Sequence, residues 1–143
     1  MTIIIVGICH KNSTDIGKGK DMRKIEQLPD CELQIMKIIW ENAPRVSQTE
    51  IRKQMQERNG REYGRTTIST WLSRMKKKNF VSSVLERGIS YYSPVVEEVD
   101  YRRAEMKHFM NFWFDNSPAK FLKAFEEYDK ISEADIEEIK KML

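Results

Sequence analysis

The sequence predicts an α+β fold, mostly α with a small β-hairpin. Three observations carry this: helical apolar periodicity in three segments between residues 30 and 78, alternating short segments on either side of Arg87-Gly88, and three further helical segments after Pro94.

The first helix is marked by Leu33, Met36, Ile39 and Trp40, which recur at helical spacing after Asp30, a residue suited to capping the start. Pro44 closes it, because the residue before a proline is driven out of the helical region. Ser47-Gln48-Thr49-Glu50 reads as an S-x-x-E capping box and opens a second helix through Ile51 and Met55 that stops near Asn59-Gly60. The polar connection Arg61–Arg65 leads to a third helix over Thr66–Lys78, where Ile68, Trp71, Leu72 and Met75 share one face at 100° per residue. Phe80–Leu85 reads as a strand, Glu86-Arg87-Gly88 as a turn and Ile89–Ser93 as the returning strand, with Tyr91 and Tyr92 on opposite faces, one of them packed inward. Three helices followed by a hairpin is the arrangement of a winged helix-turn-helix domain, here expected over residues 22–95.

Residues 96–143 are expected to form a helical dimerisation domain from segments Glu98–Phe114, Pro118–Tyr128 and Glu133–Leu143. Met106, Phe109, Met110 and Trp113 lie on one side of the first, and Phe121, Leu122 and Phe125 add to them. So short a tail cannot bury so many large side chains by itself, and a two-fold homodimer is the economical solution. Residues 1–21 differ from the rest. An Ile-rich start gives way to a polar, aperiodic stretch, read as a disordered extension or as sequence upstream of a true start at Met22, preceded by the purine-rich codons of Gly17–Asp21.

Charge is unevenly distributed. Residues 22–95 hold 14 Lys+Arg against 8 Asp+Glu, whereas residues 96–143 hold 8 against 12. A basic domain joined to an acidic one points to a polyanion-binding domain with an appendage.

The third helix carries the candidate chemistry. Thr66, Thr67, Ser69, Thr70, Ser73 and Arg74 form a slim, donor-rich surface, and a helix of that kind fits the major groove, where base edges are distinguishable. Thr66, Thr67, Thr70, Ser73 and Arg74 are assigned to bases; Arg65, Lys77 and Arg87 at the hairpin turn are assigned to phosphates, with the whole Lys76-Lys77-Lys78 run suited to phosphate contact.

Other classes are poorly supported. Cys9 and Cys31 share no ligand spacing with each other or with His10 and His108, so neither a disulfide framework, a metal site nor a cofactor is expected. The placement of Cys31 near a helix start would lower its pKa, but without a partner it reads as a structural or incidental thiol. Glycine-rich phosphate loops and nucleophile elbows are lacking. The stretch Ile3–Cys9 is too short for a membrane span and lacks the flanks of a signal peptide, so the chain is expected in a reducing cytoplasm without membrane insertion.

From Leu28 to Leu143 the sequence resembles the penicillinase-repressor family of bacteria (the BlaI/MecI/CopY group). The matching stretches are LPDCELQIMKIIWENAP, RTTISTWLSRMKKKNFV, RGISYYSPVVEEVDYRR and ISEADIEEIKKML, of which T-I-x-T-x-L-x-R and Y-Y-S-P are the most specific. The resemblance implies a transcriptional repressor, not an enzyme, bound as a homodimer to double-stranded DNA at a palindromic operator. It implies interlocked C-terminal helices, and induction by a membrane sensor protease that cuts within them. Two departures stand out. The copper-responsive branch carries C-x-C pairs near its C-terminus, and this chain has no cysteine after Cys31. The β-lactam-responsive members are cleaved at an Asn-Phe bond, and the corresponding position here is His108-Phe109. Competing readings are a winged-helix module that binds protein, against which the basic charge counts, a repressor released by a ligand, and a small hydrolase using Cys31 or His108.

Overall fold

The computed structural model describes residues 25–128 and 130–143. The expected extension over residues 1–21, the start at Met22, and Cys9 and His10 lie outside the described residues. The elements run α1 (Asp30–Glu41), β1 (Val46–Ser47), α2 (Gln48–Asn59), α3 (Arg65–Lys77), β2 (Val81–Glu86), β3 (Ile89–Pro94), α4 (Glu98–Phe114), α5 (Pro118–Tyr128) and α6 (Glu133–Met142). They form two compact units, the first ending at Ala104 and the second Glu105–Leu143.

Each boundary has a local cause. Asp30 is the first helical residue of α1 and not its cap; Pro29 caps it with φ −62° and ψ 158°, and its carbonyl accepts from the Leu33 amide at 2.8 Å. The proline ring holds the dihedral that the entry needs, so no side-chain cap is required. At α2 the Ser47 hydroxyl accepts from the Glu50 amide at 3.1 Å. The reciprocal half of the box is replaced, because the Glu50 carboxylate accepts from Gln54 Nε2 at 2.8 Å instead. Gly60, at φ 63°, ends α2 in the left-handed region that only glycine enters freely.

The recognition candidate α3 begins one residue before the expected Thr66 and ends at Lys77. Its C-terminus is a Schellman motif. Asn79 takes φ 65°, its amide donates to Lys76 O at 3.0 Å, and the Phe80 amide donates to Met75 O at 2.9 Å. This turn carries the chain directly from the basic end of α3 into the buried Phe80.

A three-stranded antiparallel sheet has the order β1-β3-β2. The strand β1 was not anticipated; Val46 pairs with Tyr92 and Ser47 with Tyr91. Between β2 and β3, Arg87 (φ 50°) and Gly88 (φ 78°) make a two-residue turn with both dihedrals positive, the type whose twist matches a hairpin.

The core lies between the three helices and the sheet: Ile35, Met36, Ile38 and Ile39 of α1, Ile51 and Met55 of α2, and Ile68, Leu72 and Met75 of α3, with Phe80, Val81 and Tyr92 beneath them. Of the two adjacent tyrosines, Tyr92 is the one packed inward. The start of α4 belongs to this core through Tyr101, whose ring meets Trp40 at 5.8 Å and Phe80 at 5.9 Å and whose hydroxyl accepts from the Leu28 amide at 2.9 Å. Together these elements are a winged helix-turn-helix fold followed by a helical segment.

Candidate nucleic-acid interface

Burial of Ile68, Leu72 and Met75 against the core turns the rest of α3 outward. Arg65, Thr66, Thr67, Ser69, Thr70, Ser73, Arg74 and Lys77 are all exposed, and none of their side chains forms a hydrogen bond or ion pair with another described residue. Their donors are therefore available to a ligand without first breaking a contact. Trp71, expected within the core face, is half-buried and meets the Tyr63 ring at 5.8 Å.

The entry to α3 is tied down by groups that the sequence did not single out. Arg52 Nε donates to Tyr63 O at 2.7 Å, and the Tyr63 amide donates to Gln56 Oε1 at 3.0 Å. These bonds fix the connection between α2 and α3, so the start of α3 is held in place. Seven to eleven residues separate the partners, spacings with no local periodic signal.

The Lys76-Lys77-Lys78 run divides. Lys76 and Lys77 are exposed, but Lys78 donates to Glu32 Oε1 at 2.7 Å, and the Glu32 side chain is only 1% exposed. The expectation that Lys78 suits phosphate contact is thus corrected: a buried carboxylate claims it. Cys31 is corrected too. Its thiol pKa is raised, first by burial and then by the neighbouring Glu32 charge, which outweigh any helix-start effect.

The hairpin presents Arg87 on its exposed turn. Just before it, both Glu86 carboxylate oxygens accept from Arg45, each at 3.0 Å, and that guanidinium lies 3.9 Å from the centroid of the Tyr91 ring. The hydrogen bonds from Arg45 hold the Glu86 carboxyl below its ordinary pKa.

In the second unit, rings from α4 and α5 cluster: Phe109 lies 5.6 Å from Phe114 and 6.2 Å from Phe121, and Phe121 lies 6.2 Å from Phe125. Phe109, Met110 and Phe121 are half-buried, while Met106, Trp113, Leu122 and Phe125 remain exposed. Phe112, 65% exposed and stacked on His108 at 6.0 Å, adds an apolar side chain that periodicity had not assigned. Among the described residues of this unit none is fully buried. The His108-Phe109 peptide bond lies inside α4.

No helix among the described residues is long and apolar enough to cross a membrane. Residues 28–143 match the penicillinase repressor family. The penicillinase repressor of Bacillus licheniformis is 29% identical over 85% of this chain and 93% of its own length. The methicillin resistance regulatory protein MecI of Staphylococcus aureus (strain N315) is 27% identical over 84% and 95%. A structure of RosR from H. salinarum covers 71% of this chain and 90% of that one at 14% identity with a TM-score of 0.50, a likeness of fold alone.

Proposed function

The chain belongs to the penicillinase repressor family, a family of DNA-binding repressors and not of enzymes, and from that premise we propose that it is a cytoplasmic homodimer that represses transcription by occupying a palindromic operator. Thr66, Thr67, Thr70, Ser73 and Arg74 read base edges, with Ser69 on the flank of the same surface. Arg65, Lys77 and Arg87 hold phosphates. The observation that carries this reading is the exposed, uncommitted hydroxyl and guanidinium face of α3, a surface slim enough for the major groove.

The dimer is supported by the second unit, whose exposed Met106, Phe112, Trp113, Leu122 and Phe125 and lack of any fully buried described residue leave it without a core of its own. A second copy covers this surface and sets the distance between the two recognition helices. Relief of repression occurs by proteolysis at or near His108-Phe109, carried out by a membrane sensor protease. Cleavage there divides α4 and separates the two DNA-binding units, and each alone forfeits the gain from tethering, which reaches about 10²–10⁴-fold. Because the bond lies in a helix with Phe109 packed on Phe114 and Phe121, this turn must unwind before a protease can engage it.

Binding to a random-sequence duplex tests the DNA reading: affinity should fall steeply with salt, and a salt-independent or absent interaction rejects it. An immunoblot during induction tests the release step. Fragments ending near His108 are expected; full-length protein persisting while target genes switch on assigns release to a ligand.

A further inference from the structure

The strand β1 supports only the base of the hairpin, since its two residues pair with Tyr91 and Tyr92 and reach no further along β3. From Val84 to Ser90 the wing is, among the described residues, a two-stranded ribbon paired only with itself, and such ribbons are marginal in water. Arg45, immediately before β1, reaches past that limit with its side chain. Register places Val84, Glu86, Ile89 and Tyr91 on one face of the ribbon, and Arg45 engages two of these four, doubly bonding Glu86 and stacking on Tyr91. A bidentate guanidinium–carboxylate pair fixes orientation as well as distance. Its carboxylate belongs to the residue preceding Arg87, whose φ of 50° is set by the same turn.

We propose that Arg45 and Glu86 are positioning residues that hold the wing tip so that Arg87 meets a DNA phosphate; this rests on the DNA-binding reading of the chain. The sign of the effect distinguishes the idea from bulk electrostatics. Glu86 is a negative charge beside a phosphate-facing arginine, so simple charge counting makes its neutralisation tighten binding. If it positions Arg87, neutralisation weakens binding. Arg45→Lys is the companion change, because it keeps the charge while losing the fork and the stack.

The full chain is titrated with a labelled random-sequence duplex over a range of salt. Arg87→Ala should weaken binding and lower the salt slope by about one unit per engaged wing. Glu86→Gln and Arg45→Lys should each weaken it by about twofold to tenfold, the scale of ordering one or two side chains on binding. The slope should fall with them, although Glu86→Gln removes a repulsive charge. In an Arg87→Ala background neither change should weaken binding further. Thermal unfolding should be unchanged, since the pair is exposed. Tighter or unaltered binding by Glu86→Gln, with Arg87→Ala still weakening it, overturns the positioning role alone. Unaltered binding by Arg87→Ala overturns the phosphate role of the wing, and the clamp with it.

Discussion

Replacing Lys78 with alanine should destabilise the first unit by about 3 kcal/mol, whereas the same change at Lys77 should cost less than about 0.5 kcal/mol. Two adjacent lysines should thus behave differently because of one contact. The Glu32 carboxylate is 1% exposed and Lys78 reaches it at 2.7 Å, while Lys77 is exposed and binds no described residue. Removing one partner of a buried pair leaves a charge without compensation, at about 3–5 kcal/mol. The lower end applies here because Lys78 keeps 26% exposure, so water reaches the vacated space. Urea denaturation measures the effect, with Trp113→Phe as common background so that only Trp40 and Trp71 of the first unit report. Replacing both partners together, Glu32→Leu with Lys78→Met, should restore stability to within about 1 kcal/mol, since an apolar pair of similar volume carries no desolvation penalty. Equal small losses at Lys77 and Lys78 would refute the reasoning, as would a double variant no better than Lys78→Ala.

Ser47→Ala removes the oxygen that accepts from the Glu50 amide, and denaturation should show a loss of about 1 kcal/mol. Arg74→Ala should cost roughly 1–3 kcal/mol on operator DNA and relax preference at one base pair, while Lys77→Ala should weaken binding to all sequences alike; anisotropy titrations on specific and random duplexes separate the two. Trp113→Glu places a charge on the exposed apolar face of α4, and sedimentation equilibrium should show a dimer for the parent chain and a monomer for this variant.

What could be read from the sequence was local. The buried stripe of α3 follows from the spacing of Ile68, Leu72 and Met75, the start of α2 from Ser47 and Glu50, and the hairpin turn from Arg87-Gly88. The helical segments after Pro94 follow likewise from their apolar spacing. What escaped was non-local or too short. The strand β1 is two residues long and pairs with Tyr91 and Tyr92, more than forty positions away, so it has no periodicity to detect. Glu32 with Lys78, and Arg45 with Glu86, are charged pairs separated by 46 and 41 positions. In sequence each residue looks like part of a solvated face. The capping role given to Asp30 fell one residue late, because Pro29 satisfies the same geometry through its ring and carbonyl. The outward face of α3 was identified by what the core leaves over, which is why its exposed residues were legible while the groups that hold α3 in place were not.

Selection of bound sequences from a pool of random duplexes tests the central claim most directly. The account predicts enrichment of an inverted repeat whose half-site centres lie about 10–10.5 bp apart or a multiple of that. It also predicts that a Thr70→Ala, Arg74→Ala variant loses preference at matching positions in both half-sites while still binding random DNA. Enrichment of a single unrepeated site, or an unchanged consensus from that variant, would contradict a dimer reading DNA through the outward face of α3.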